Sequence, residues 1–154
     1  MSERAQVLAD QLEQANRELV HTVEQLSDAQ WKTTTVDEGW SVGVVVHHVA
    51  TGHGYLSGLV GKIADGDPVT VDRDAIHRAN AEHAVQFADV TKASALALLR
   101  QNGAAATAVV RRLDDAQLDR AGGSMGMTAA QAIERVLIGH VRNHHASIRQ
   151  ATGS

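Results

Sequence analysis

Three histidines near the C-terminus sit inside an apolar helical stretch, "RVLIGHVRNHHASIR". Projected at about 100° per residue, Ile133, Val136, Leu137, His140, His144 and Ile148 share one stripe. His140 and His144 stand four apart, so their side chains lie one above the other on the same helix face. Two neutral imidazoles buried together bring nitrogens that must find partners, at about 1–3 kcal/mol for each group left unsatisfied. A metal ion satisfies both, and histidines at i, i+4 on a helix can bind one zinc-like ion. His145 projects off the stripe and reads as an exposed or outer-sphere group.

A site of this kind needs a further ligand from another helix. The stretch "WSVGVVVHHVATGHGYL" offers two. Its apolar stripe is Val42, Val46, Val49, Leu56 and Val60, with His53 near the centre. His48 lies on the flank, between Val45, Gly52 and Tyr55. A bundle helix touches two neighbours, so a flank can also face the interior. Periodicity slightly favours His53 without deciding between them. His47 projects away and reads as a surface residue. His21, His77 and His83 have no constellation around them and read as solvated or locally hydrogen-bonded. Asp37 and Glu38, just before this helix, read as solvated loop charges. Gly43, Gly52, Gly54, Gly58 and Gly61 each cost about 1 kcal/mol against alanine inside a helix. Close helix packing is the plain explanation, and space for a ligand beside a metal is the functional one.

The elements that must position these residues are helical. Proline occurs once, at Pro68, and sustained period-two alternation is absent, so no strand is expected. A first helix runs from about Ser2 to Leu26, with Leu8, Leu12, Ala15, Leu19, Val23 and Leu26 on one face. Ser27 and Gln30 form a capping box for a short turn. The second helix starts at the N-cap Ser41 and ends near Ala64, and a third helical stretch covers about Asp72 to Ala88. Thr91 caps another helix ending near Leu113. The glycine-rich "DRAGGSMGM" then leads to Thr128 and Gln131, which cap a last helix running to about Gln150. "LSDAQW…GWS" and "LDDAQL…GMT" share one register at an offset of 87 residues, a weak internal echo. The expected fold is all-α: one domain over residues 1–154, a four-helix bundle with a long crossover carrying extra helix between its second and third helices.

Composition excludes several functions. The 154 residues carry a formal charge of −4 and only 3% aromatics, which argues against a nucleic-acid surface. There is no cysteine, so any thiol in the chemistry comes from outside the chain. No stretch reaches about 18 apolar residues and the N-terminus has no signal-peptide core, which reads as a cytoplasmic protein without a membrane span.

At "GWSVGVVVHHVATGH" and "GHVRNHH", supported by "AIHRANAEHAVQFADV", the chain resembles the DinB/YfiT-like superfamily. That group includes bacillithiol S-transferases and the metal-binding domain of mycothiol-dependent maleylpyruvate isomerase. The resemblance extends from about Leu12 to Gln150. It implies a four-helix bundle with a three-ligand site, commonly three histidines, for nickel or zinc. Its first ligand stands eight residues after the tryptophan of "GWS", which maps to His48, and its HxxxH maps to His140 and His144. This register selects His48 over His53. Some thiol-dependent members carry Glu where this chain has His140. The chain also ends near that helix, without the isomerase's extra C-terminal domain, which weighs against the isomerase reaction.

The leading expectation is a metal-dependent S-transferase using a low-molecular-weight thiol of the mycothiol or bacillithiol type on electrophiles, in detoxification or stress response. Three neutral histidines leave an open coordination position, and a cation favours the ionised thiol. Arg142 or Arg149 would be available to an anionic cofactor group, although both read as solvated. Two alternatives stand beside it. One is a metal-dependent hydrolase using bound water, for which no general base is evident. The other is a non-catalytic metal-binding stress protein that works through dimerisation. The apolar faces of the first and third helices would support a homodimer.

Overall fold

The computed structural model describes residues 1–123 and 126–154, so Ser124 and Met125 of the glycine-rich loop lie outside the described residues. Helix α1, Glu3–Glu24, starts where the Ser2 side chain accepts from the Ala5 amide, and buries Leu8, Leu12, Leu19 and Val23 along one face. The short α2, Asp28–Trp31, carries the expected Ser27/Gln30 capping box. Helix α3, Val42–Asp65, is N-capped by Ser41 and stops at Gly66, whose φ of +78° suits glycine. Asp72 caps α4, Arg73–Gln86, and Thr91 caps α5, Lys92–Arg111. Helix α6, Asp115–Asp119, has a second capping box, Asp114/Gln117.

Two features differ from expectation. Ala121–Gly122 (β1) pairs antiparallel with Met127–Thr128 (β2), and Thr34 bridges Ser41 in the same way before α3. Strands of two residues are too short for alternation to register in a sequence. The last helix is also not uniform. Helix α7, Ala129–Ala132, passes through a π-helical stretch, Ile133–Ile138, into α8, Gly139–Thr152. Wider π turns rotate the downstream face relative to that of an uninterrupted helix.

Helices α1 and α3 each pack on α5 and on the π–α8 helix, so they face one another across the diagonal of a four-helix bundle. The crossover from α3 to α5 carries α4, which packs on α3 and buries none of its own residues. Leu12, Leu19, Leu99, Ile133, Leu137 and Ile148 are wholly enclosed in the common core. Trp31 lies flat against α3 where Gly43 makes room, since a Cβ there would meet the indole at 2.7 Å, and the indole N–H donates to the Val90 carbonyl at 3.0 Å. Among the described residues no helix is long and apolar enough to cross a membrane.

The echo in the sequence is carried by the structure. The Thr34–Ser41 bridge and the Ala121–Thr128 pair stand 87 residues apart at both ends. The same offset relates the N-caps Ser41 and Thr128 and the left-handed C-caps Gly66 and Gly153. Each half is thus a helix, a capped short helix, an antiparallel bridge (extended to a two-residue strand pair in the second half) and a second helix that carries histidine.

Candidate metal centre

Helix α3 contributes His48, and α8 contributes His140 and His144. One ring nitrogen of each lies within 4.8 Å of the others. The Nε2 atoms of His48 and His140 face each other at 3.0 Å. Two imidazoles bound to one tetrahedral ion at about 2.0–2.1 Å would hold their nitrogens roughly 3.3 Å apart, so the spacing suits a single divalent cation.

The protonation states suit it as well. Burial pushes His48 down to about 4, with the charges of His144 and His83 adding to the effect. Burial pushes His140 down to about 3, with His144 and His48 adding. Both rings are therefore neutral near pH 7 and offer lone pairs. His144 is oriented by a carboxylate: its Nδ1 lies 2.7 Å from Glu38 Oε1, and Glu38 Oε2 accepts from the Ser147 hydroxyl at 2.6 Å. Glu38 is an acceptor in this arrangement, so Nδ1 carries a proton and Nε2 is the atom that can serve as the ligand. Burial acts to raise the Glu38 pKa, but hydrogen bonds from Ser147 and His144 hold it below the usual carboxylate range. The loop that presents Glu38 is closed by Gly39 at φ +70° and by hydrogen bonds from the Thr35 amide and hydroxyl to the Trp40 carbonyl.

Gly52 completes the positioning. A Cβ there would stand 2.6 Å from Cε1 of His140, so only glycine lets that ring lie against α3. Among the described residues, a Cβ at Gly54, Gly58 or Gly61 would meet nothing within 4 Å, and packing between them does not explain these glycines. The three imidazoles open onto a cavity of about 470 Å³, walled by Trp40, Leu56 and Ile76 with Thr51, Tyr55 and Asn80. The edge of the Trp40 ring system meets His48 at a centroid distance of 5.4 Å.

The model of the DinB superfamily matches residues 11–148. The chain belongs to the DinB superfamily. No curated protein sequence matches it. Two solved structures resemble it in fold. YfiT from Bacillus subtilis, described as a probable metal-dependent hydrolase with an unusual four-helix bundle topology, matches with a TM-score of 0.78 at 24% identity, over 99% of this chain and 89% of YfiT. The mycothiol-dependent maleylpyruvate isomerase matches with a TM-score of 0.73 at 14% identity, over 94% of this chain and 60% of the isomerase.

In this DinB-superfamily chain the other histidines divide by environment. His53, which periodicity favoured, is a core residue: it is 1% exposed, and its Nε2 lies 2.7 Å from Asn16 Oδ1. The Asn16 amide in turn donates to the Leu99 carbonyl at 3.3 Å, tying α1, α3 and α5 together. His47 is not a surface residue. It is buried, with Nδ1 2.7 Å from His83 Nε2 and its ring stacked on Phe87 at 3.9 Å. His83 likewise belongs to a constellation, because α4 folds across the face of α3 that would otherwise be open to water. His145 is half-buried and bonded to Thr22, while His21 and His77 are exposed as expected. Glu38 is the residue that sequence reasoning missed; Asp37 beside it is exposed. Arg142 and Arg149 are exposed, lie outside the cavity lining, and Arg149 donates to the Ser154 carbonyl.

Proposed function

We propose that this protein is a metal-dependent transferase that joins a low-molecular-weight thiol to an electrophilic carbon. The observation that carries the reading is three imidazoles converging at a cavity whose lining, among the described residues, holds no Asp, Glu, Lys or Arg. A divalent cation, zinc or nickel, held by His48, His140 and His144 would supply the charge that keeps a thiol ionised near neutral pH. The residues do the rest. Glu38 fixes the tautomer of His144. Gly52 seats His140. Trp40, Leu56 and Ile76 would shield one side of a bound thiolate from water, which favours its nucleophilicity. In the reaction a carbon–sulfur bond forms, the carbon's bond to its leaving group breaks with its electron pair, and the thiol proton passes to solvent. The chain's lack of cysteine is consistent with a thiol that arrives as a cosubstrate, of the mycothiol or bacillithiol class.

Hydrolysis through activated water is the second reading, and one feature weighs against it. A hydrolase benefits from a general base beside the water. The carboxylate bonded to the site, Glu38, is committed to His144 and Ser147. The test is turnover of monochlorobimane with a panel of thiols, alongside p-nitrophenyl acetate without thiol, on zinc- and nickel-loaded protein. The expected result is thiol-dependent conjugation that disappears on chelation, with no chelation-sensitive ester cleavage. Chelation-sensitive ester cleavage without conjugation would replace this reading with the hydrolase.

A further inference from the structure

Helix α4 interrupts the four-helix pattern and adds no buried residue to the core. Its inward stripe nonetheless has a division of labour. Ile76, Asn80, His83 and Phe87 recur at spacings of four, three and four, which places them on one face. His83 and Phe87 anchor that face, through the His47 hydrogen bond and the stack of His47 on Phe87. Ile76 and Asn80, one to two turns earlier, form the wall of the cavity opposite the imidazoles. Thr51, across the cavity, already spends its hydroxyl on the His47 and His48 carbonyls of its own helix. Among the described residues the Asn80 side-chain amide makes no hydrogen bond within the chain, so its two donors and its acceptor are free for a ligand.

We infer that α4 is the specificity element of the site and that Asn80 selects an uncharged molecule bearing a hydroxyl or amide, with its apolar part against Trp40, Leu56 and Ile76. The inference rests on the thiol-transfer reading. It follows from what the walls lack. With the thiol sulfur on the cation, a further carboxylate on the ligand would lie at the α4 wall, where it loses water and meets no ammonium or guanidinium, which is costly. A neutral amide or hydroxyl of the same size loses little and gains a partner at Asn80. Because α4 sits outside the core, its inward residues can be exchanged at small cost in stability, which makes it the natural place for selectivity to reside.

The test compares two thiols that differ in one group, N-acetylcysteine and N-acetylcysteine amide, by titration calorimetry on the zinc-loaded protein. The amide is expected to bind roughly tenfold more tightly or better. Asn80→Arg, which supplies the missing cation, is expected to erase or reverse that preference, and far-ultraviolet circular dichroism of the variant is expected to match wild type. Equal binding of the two thiols by wild type, or a preference unchanged in Asn80→Arg, would overturn the inference while leaving thiol binding intact. Binding of neither thiol would overturn the thiol-transfer reading itself, and the inference with it.

Discussion

The two halves of the molecule carry the same histidine and use it differently. His53 and His140 each follow a glycine, Gly52 and Gly139, and the pairs stand at the same 87-residue offset that relates the strand pairs and caps. In the first half, Asn16 answers His53 and the pair is wired into the core. The residue at the equivalent position of the second half is Gly103, and it is Asn16 that packs over it: a Cβ there would meet the Asn16 amide at 2.3 Å. His140 therefore has no asparagine partner. The π-helical stretch has no counterpart in the regular α3, and His140 faces His48 and His144 instead. The same side chain is a structural tie where the chain supplies a neutral partner and a candidate ligand where it withholds one.

Four expectations break or sharpen this comparison. The largest effect is expected at the two equivalent glycines. Gly52→Ala forces the His140 ring away and should weaken zinc binding by about 100-fold. Gly139→Ala meets only the Glu134 carbonyl at 3.6 Å, an ordinary contact, and should leave binding unchanged. Competition against a chelating dye measures both, and equal effects would deny the asymmetry. Next, Glu38→Gln removes the carboxylate that holds His144 and should cost about tenfold in zinc affinity in the same assay.

On the core side, Asn16→Ala should lower stability by about 1–3 kcal/mol by leaving His53 without its partner. Denaturant unfolding checks the loss, and zinc stoichiometry should stay at wild type. The last expectation is in pH. Burial holds His53 at about 4 in the fold, below the about 6.5 of an unfolded chain. Between those values the unfolded chain binds the proton and the folded chain does not, so this contribution is complete above about pH 6.5 and is lost as pH falls through 4. In chelated protein, the double variant Asn16→Leu/His53→Leu should show a stability–pH slope shallower by one proton across that window.

Much of this architecture could be read from the chain. Ser41, Thr91, Thr128 and the Ser27/Gln30 box are local signals, and each caps a helix where capping rules put it. The convergence of His48 with His140 and His144 followed from a family register, where periodicity alone leaned towards His53. That lean had a physical basis, since His53 is indeed the more buried of the two; burial and ligation are simply different fates. Glu38 was invisible because its role depends on a loop that folds against α8, 106 residues away in sequence. His47 and His83 were misplaced for a related reason: a helical wheel describes α3 by itself and cannot know that α4 will cover it. The π stretch left no trace in composition, being built of ordinary Ile, Val and Leu with Glu and Arg.

The central claim is that His48, His140 and His144 form one metal centre and that His53 does not belong to it. Elemental analysis of tag-free wild type and of the His48→Ala, His140→Ala, His144→Ala and His53→Ala variants tests it most directly. The account predicts near one equivalent of zinc or nickel in wild type and in His53→Ala, and none in the other three. Metal retained in His48→Ala and lost in His53→Ala, or a wild type that takes up no metal on reloading, would contradict it.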